Sequence, residues 1–206
     1  MSAHPVIIDG SPQAKVTLAL AHGAGAAMDS PFMQFFAEQL AKQGYHVVRF
    51  EFPYMAQRRI SGKRSPPNRP AILEQTWHEI IQQLGPNKLI IGGKSLGGRI
   101  ASMIADANRV QGVICLGYPF HPPGKPDRLR IDHLQEQQTP TLILQGTRDP
   151  FGREPEVSDY RLAKSVRLEW IEDGDHSFKP RKSSGRTEEQ NWQVAVTAID
   201  DFCCQL

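Results

Sequence analysis

The most constraining feature of this chain is an apolar run that ends in a serine flanked by glycines. Residues 89–91 are apolar and lead into the pattern Gly93-x-Ser95-x-Gly97. Apolar residues then recur at helical spacing, at Ile100, Met103, Ile104 and Ala107. This pattern predicts a sharp strand-to-helix turn, because glycine tolerates the strained backbone and close packing that such a turn needs. The Ser95 hydroxyl would then stand exposed at the end of a buried strand.

Two interpretations of the glycines as nucleotide-binding motifs are each excluded by one residue. The Gly-Lys-Ser at 93–95 resembles the end of a phosphate-binding loop, but that motif requires a glycine at the position of Lys88. The Gly-x-Gly at 23–25 could begin a dinucleotide fingerprint, whose third glycine would fall at Met28. Methionine is too bulky for the close helix–strand contact made there. The sequence therefore favours a nucleophilic serine.

Composition limits the classes of protein that remain. The 206 residues predict one domain over 1–206, and the net charge of +2 implies no bulk attraction to nucleic acid or to a membrane. No signal peptide or membrane span is visible, and the adjacent Cys203 and Cys204 disfavour an ordinary disulfide. We therefore expect a cytoplasmic protein. No spacing indicates a metal site, and we expect no cofactor.

Alternating strand and helix patterns predict an α/β fold with a doubly wound, mostly parallel sheet of about seven strands. The predicted strands cover residues 6–8, 16–21, 46–52, 89–91, 110–116, 141–145 and 166–171. The predicted helices cover residues 31–43, 73–84, 96–107, 155–164 and 188–203. The short segment between the fifth and sixth strands leaves little room for an inserted cap domain, so we expect an open site.

A loop of small residues follows the second predicted strand. Residues 22–26 read His-Gly-Ala-Gly-Ala, and small side chains allow backbone N–H groups to face a cavity. We interpret this loop as half of an oxyanion hole, with the N–H of Ala24 as the preferred donor and Gly25 as the alternative. The N–H of Leu96, at the start of the helix after the serine, would be the other donor. A tight turn without a ligand is the structural alternative.

Three residues at the ends of different strands could form a catalytic triad. Ser95, Asp149 and His176 each follow a predicted strand, and right-handed crossovers bring such strand ends to one edge of the sheet. His176 would take the proton of Ser95, and Asp149 would orient the imidazole. Asp173 and Asp175 are rival acids, but they lie too close to His176 in sequence for convenient triad geometry. The same segment could alternatively supply metal ligands, which is the weaker hypothesis.

Other residues are candidates for contact with a substrate. The aromatic and proline-rich segment after the fifth strand could line an acyl pocket through Tyr118, Phe120 and His121. We also place Gly25 and Lys94 near the bound substrate, because the first lies in the small-residue loop and the second precedes Ser95.

Two basic segments flank the predicted site. Residues 54–69 and 179–186 are rich in arginine and lysine, and the pattern predicts mobile loops. Solvated loops are the simpler interpretation. The alternative is that they attract a substrate that carries a carboxylate or a phosphate.

The motifs together resemble the α/β-hydrolase superfamily over nearly the whole chain. Residues 93–99 look like its nucleophile elbow, 146–149 like its acid loop and 175–178 like its histidine loop. Residues 22–26 and 28–33 resemble, more specifically, a subgroup of predicted hydrolases without a cap. This subgroup is related to dienelactone hydrolases and to the hydrolase-like domain of a subunit of the NSL histone acetyltransferase complex.

The resemblance implies a hydrolase but does not name its substrate. Dienelactone hydrolases use a cysteine nucleophile, whereas this chain has Ser95, which favours ordinary esters or thioesters over lactones. We expect hydrolysis of a small ester or thioester through an acyl-enzyme, without metal or cofactor. Two alternatives remain, namely a non-catalytic scaffold of the same fold and an enzyme that transfers the acyl group to an acceptor other than water. The sequence does not indicate the oligomeric state.

Overall fold

The structure is a computed structural model that describes residues 4–206. Within these residues the chain forms a seven-stranded sheet covered by helices on both faces. The strands are β1 (Val6–Asp9), β2 (Thr17–Ala21), β3 (His46–Phe50), β4 (Leu89–Lys94), β5 (Gly112–Leu116), β6 (Thr141–Gly146) and β7 (Val166–Ile171). The helices are α1 (Pro31–Lys42), α2 (Pro53–Ser61), α3 (Pro70–Leu84), α4 (Leu96–Asn108), α5 (Glu154–Val157) and α6 (Glu188–Cys204).

The order of the strands places a topological switch in the middle of the sheet. The order is β1-β3-β2-β4-β5-β6-β7, and every neighbouring pair is parallel except β1 with β3. The chain leaves β2 toward one edge of the sheet, and from β4 onward it proceeds toward the other. In open α/β sheets the crevice at such a switch, beyond the C-terminal ends of the strands, is where ligands bind.

The central strands are apolar throughout because both faces of the sheet are buried. Side chains alternate between the two faces of a strand. In β2, Leu18 and Leu20 pack with α1 and α6, whereas Ala19 and Ala21 pack in the opposite core with α3 and α4. The uninterrupted apolar runs recognised in the sequence therefore reflect burial on two sides.

Two sequence predictions about local structure were wrong. Residues 54–69 were expected to form a loop, but the structure has helix α2 over Pro53–Ser61, with Tyr54 and Met55 buried beneath it. Pro53 starts this helix because its fixed φ suits the first turn. The helix predicted over 155–164 is limited to the single turn of α5. The other predicted elements are present with ends that differ by a few residues.

The predicted fold class is confirmed as an α/β-hydrolase fold without a cap. Between β5 and β6, the chain forms only loops and one short 3-10 turn, Asp132–Gln135. The edge of the sheet beyond Ser95 is therefore left open. Across residues 4–206, no helix combines the length and the apolar composition needed to cross a membrane.

Candidate active site

Ser95 occupies a strained turn between β4 and α4. Its φ is 52° and its ψ is −111°, in a region that residues with side chains seldom adopt. The turn needs glycine beside it. Gly93 has a φ of 141°, and a Cβ atom there would lie 2.0 Å from the carbonyl oxygen of Ala21 on β2. This packing holds the serine at the C-terminal edge of the sheet, as the sequence pattern predicted.

The three residues singled out in the sequence lie in one hydrogen-bonded line. The Nε2 atom of His176 is 2.9 Å from the Oγ of Ser95, and its Nδ1 atom is 2.7 Å from the Oδ2 of Asp149. The three side chains come from the loops after β4, β6 and β7. The arrangement has a hydroxyl donor, an imidazole acceptor and a carboxylate that can orient the imidazole, which are the parts of a nucleophilic relay.

The carboxylate and the imidazole are both held rigidly. Asp149 is fully buried, and its Oδ1 accepts a hydrogen bond of 2.8 Å from the N–H of Phe151. That bond leaves Oδ2 directed at His176. The ring of Phe151 packs against the imidazole at 4.2 Å between centroids. These contacts limit His176 to the orientation in which it meets both Ser95 and Asp149.

The two rival acids have structural roles in the loop that carries His176. Asp173 accepts hydrogen bonds of 2.7 Å from the N–H and from the guanidinium of Arg181. Asp175 accepts from the N–H groups of Ser177 and Lys179 at 2.8 and 3.0 Å. Both carboxylates therefore shape the loop, and Asp149 is the acid within hydrogen-bond distance of the imidazole.

The environment keeps His176 in its neutral form at neutral pH. Burial lowers the pKa of its imidazole, because a charged ring is poorly solvated there. The hydrogen bond that the ring donates to Asp149 opposes this effect, while the positive charge of Lys94 adds to it, and the net shift of the pKa is downward. A neutral imidazole can accept a proton, so His176 is poised as a base.

The loop of small residues is braced from behind by two aromatic side chains. His22 is buried, and its Nδ1 donates to the carbonyl of Gly23 at 2.6 Å while its Nε2 accepts from the N–H of Phe52 at 3.1 Å. The hydroxyl of Tyr54 lies 3.3 Å from the carbonyl oxygen of Gly23 and 3.2 Å from that of Ala24. In a trans peptide the C=O and the following N–H point in opposite directions, so the N–H of Ala24 is directed away from His22 and Tyr54.

A largely apolar cavity of about 350 Å³ opens in front of Ser95. Gly25 and Lys94, both proposed from the sequence, border it together with Ala24. The sequence did not indicate most of its walls, which come from the start of α1 and from the loops carrying the acid and the histidine. These further lining residues are Ser30, Pro31, Phe32, Met33, Phe151 and Ser177.

The aromatic segment after β5 does not line this cavity, which corrects the prediction for three residues. Tyr118 and Phe120 are fully buried in the core, where the hydroxyl of Tyr118 donates to the carbonyl of Arg130 at 2.8 Å. His121 is buried and lies 2.9 Å from the Oε2 atom of Glu156. Tyr118 and Phe120 instead pack against each other and within a hydrophobic core, with ring centroids 4.8 Å apart.

Some of the cations in the two basic segments are engaged by other side chains of the described chain. Arg59 forms ion pairs with Asp29 at 2.8 Å and with Glu51 at 2.5 Å. In the second segment, Arg181 pairs with Asp173, and the Nε of Arg186 donates to Asn191. These three arginines therefore hold the structure together locally, whereas the remaining lysines and arginines of the two segments form no ion pair within residues 4–206.

Arg58 forms no ion pair with a carboxylate of the described chain. Its Nη1 atom donates to the carbonyl of Gly25 at 3.3 Å. Arg58 also borders a second cavity, of about 250 Å³, which shares Gly25 and Ala26 with the cavity at Ser95. Arg58 therefore lies beside the residues that the two cavities share, whereas Arg59, which also borders the second cavity, is paired with Asp29 and Glu51.

A serine on a strand-to-helix turn, followed along the chain by an acid and then a histidine, is the arrangement that defines the α/β hydrolases. The chain belongs to this class: the model of the α/β hydrolase domain family matches residues 14–204. The suspected family is thereby confirmed, and membership of it indicates a hydrolase.

In the part of the chain that the structure describes, no three His, Cys, Asp or Glu side chains form a group that could hold a metal ion.

Solved structures with the same fold cover nearly the whole chain. An α/β serine hydrolase without a lid from Xanthomonas campestris is 19% identical, with a TM-score of 0.68 over 97% of this chain and 88% of that one. A dienelactone hydrolase from Anabaena variabilis is 22% identical, with a TM-score of 0.69 over 93% and 88%. A monoacylglycerol lipase from Paleococcus ferrophilus is 16% identical, with a TM-score of 0.68 over 98% and 100%. At these identities, the similarity shows a shared fold.

Proposed function

We propose that this protein is a serine hydrolase that cleaves a small carboxylic ester or thioester through an acyl-enzyme. The observation that carries the proposal is the continuous hydrogen-bonded line from Asp149 through His176 to Ser95. Ser95, at one end of this line, borders a largely apolar cavity. An apolar cavity suits an acyl chain, and the line supplies the base that an alcohol nucleophile requires.

The geometry supports the following sequence of steps. The Oγ of Ser95 attacks the carbonyl carbon while its proton moves to the Nε2 of His176. The C–O or C–S bond then breaks, and the leaving alcohol or thiol takes that proton. Water next attacks the acyl-enzyme as His176 accepts one of its protons, which is returned to the Oγ when the carboxylic acid departs. Asp149 keeps the other ring nitrogen protonated and stabilises the imidazolium.

The developing negative charge on the carbonyl oxygen needs donors close to Ser95. We assign this role to the N–H groups of Leu96 and Ala24, with Gly25 as the alternative to Ala24. Leu96 is the first residue of α4, and the first N–H groups of a helix have no partner within it. Ala24 borders the cavity, and the carbonyl of Gly23, on the same peptide as the N–H of Ala24, is held by His22 and Tyr54. Each such donor typically lowers the barrier by about 3 kcal/mol.

A fluorophosphonate probe tests the proposed nucleophile directly. The wild type should be labelled covalently, because His176 activates the serine, and Ser95→Ala should not be labelled. The matched control is Ser177→Ala, which removes another serine hydroxyl from the same cavity and should leave labelling intact. Labelling is read by gel fluorescence and by mass spectrometry of the modified peptide. A folded wild type that resists the probe would contradict the proposal and favour a scaffold role.

We further propose that the preferred substrate carries an anionic group that interacts with Arg58. Replacing Arg58 by methionine should raise the KM for p-nitrophenyl hemisuccinate roughly threefold to fivefold relative to the KM for neutral p-nitrophenyl butyrate, as expected for loss of a partly exposed ion pair. The two esters share a four-carbon acyl chain, so the comparison isolates its charge.

Lys182→Met is the control for that experiment. Lys182 is exposed on a short 3-10 turn and borders neither cavity, so its loss should change both KM values little. An equal rise in KM for both esters in Arg58→Met would remove the anionic preference, since it would indicate only a disturbed loop at Gly25.

A further inference from the structure

Lys94 is a buried cation placed directly before the nucleophile. Its side chain is only 9% exposed, and its ammonium donates to the backbone carbonyl of His176. The Nζ atom also lies 5.3 Å from the centre of the Phe32 ring. Burial lowers the pKa of Lys94 to about 8. Among residues 4–206, no carboxylate is close enough to form an ion pair with it.

Burying an unpaired ammonium is unfavourable, so its presence beside a reactive group calls for a reason other than stability. An apolar residue of similar length, such as methionine, would fill the same space without that penalty. The ammonium instead joins the turn that carries Ser95 to the loop that carries His176.

Two glycines keep open the space through which this side chain passes. A Cβ atom on Gly23 would lie 3.2 Å from the Cγ of Lys94. A Cβ atom on Gly117, which has a φ of 69° in the turn after β5, would lie 2.7 Å from the carbonyl oxygen of His176 and 2.8 Å from the Nζ of Lys94. The contact between the ammonium and the carbonyl therefore fits a gap that a larger residue at position 117 would close.

We propose that Lys94 is a positioning residue that anchors the histidine loop to the nucleophile turn and sets the basicity of His176. This inference rests on the proposed function, because it concerns the same base. Holding the carbonyl of His176 fixes the backbone from which the imidazole reaches Ser95 and Asp149. The positive charge of the ammonium opposes protonation of the ring, so the base stays free at lower pH.

The direction of the charge effect follows from the groups that face the imidazole. Asp149, from the loop after β6, and Asp175, from the loop of His176 itself, both raise the pKa of His176, whereas Lys94 on β4 lowers it. Removing the ammonium should therefore raise the pKa of His176. Because His176 acts as a base only when unprotonated, the acid limb of kcat/KM against pH should move to higher pH.

The test uses Lys94→Met, which keeps the length of the side chain but loses its charge and its donor. We expect kcat for p-nitrophenyl butyrate to fall by about 10²-fold through misplacement of the base, with KM little changed and the acid limb moved to higher pH. Lys42→Met, at an exposed lysine in the last turn of α1, is the control for loss of one positive charge and should match the wild type.

Lys94→Arg keeps the test decisive if the methionine variant is unstable. The guanidinium retains a cation and donors, so the acid limb should stay near that of the wild type even if its greater bulk lowers kcat. An unchanged kcat and acid limb in folded Lys94→Met would overturn the inference, as would an acid limb raised equally in both Lys94 variants. Fluorophosphonate labelling of the wild type separates this failure from failure of the proposed function, since labelling reports an activated Ser95 whether or not Lys94 sets the acid limb.

Discussion

Replacing His176 by alanine is expected to lower kcat for p-nitrophenyl butyrate by about 10⁶-fold. The imidazole lies 2.9 Å from the hydroxyl of Ser95, and no other base in the described chain shares a hydrogen bond with that hydroxyl. Without His176 the alcohol keeps its proton, so the nucleophile is lost together with the base. The measurement is the steady-state rate of p-nitrophenol release, corrected for spontaneous hydrolysis.

A double variant and a second histidine make this result specific. If Ser95 and His176 act as one unit, as proposed, Ser95→Ala combined with His176→Ala should be no slower than either single variant. His121→Ala should retain activity per folded molecule, since His121 is buried, does not border the cavity at Ser95 and contacts Glu156. Additive losses in the double variant, or a severe loss in folded His121→Ala, would contradict the assignment of the base.

Replacing Asp149 by asparagine is expected to lower kcat by about 10⁴-fold. The Oδ1 of Asp149 accepts from the N–H of Phe151 at 2.8 Å, so the amide oxygen of asparagine would occupy that position. The amide NH₂ would then face the Nδ1 of His176 and donate to it. The imidazole would carry its proton on Nε2, where it could not accept the proton of Ser95.

Asp175→Asn is the matched control for this change. The carboxylate of Asp175 accepts from the backbone N–H groups of Ser177 and Lys179, and an asparagine oxygen can accept the same bonds. Its kcat should therefore stay close to that of the wild type, with only a small shift of the acid limb toward lower pH as a nearby negative charge is lost. If the asparagine variants at 149 and 175 lost equal activity, the acid would be wrongly assigned.

The sheet and the three aligned residues could be predicted because their signals are local and strong. Buried parallel strands are apolar throughout, and the residues that follow them must lie at one edge of the sheet. The glycines around Ser95 add a requirement for a tight turn that few other structures share. Because Asp149 and His176 each follow a later strand of the same parallel sheet, their position at the same edge as Ser95 could be predicted.

Helix α2 could not be predicted because its apolar face is confined to its first turn. Only Tyr54 and Met55 are buried, and the rest of the helix is polar or exposed, including Ile60 at 82% exposure. The stability of this helix comes from Tyr54 and Met55 packing against the core, which a helical periodicity does not reveal. The hydroxyl of Tyr54, which supports the small-residue loop, was missed for the same reason.

The residues that line the cavity could not be predicted from the sequence either. An apolar residue recurs at the same helical or strand spacing whether its side chain packs in the core or borders a ligand. Met33 belongs to the apolar stripe of α1 yet borders the cavity, whereas Phe120 was assigned to a pocket and is buried in the core. The two residues lie in the cores on opposite faces of the sheet, and only the start of α1 borders the cavity. The packed arrangement of helices and strands determines which apolar side chains face the cavity.

The way the site is distributed along the chain has a consequence for how activity arises during folding. The hydrogen bond between Ser95 and His176 joins residues 81 positions apart, and that between Asp149 and His176 joins residues 27 apart. Contacts of such long range form late, because the chain must close large loops before they are made. Hydrolase activity should therefore be detectable only after the whole sheet has formed. We expect a folding intermediate whose helices are formed but whose β7 is not yet docked to hold the serine and the acid without the base, and to be inactive.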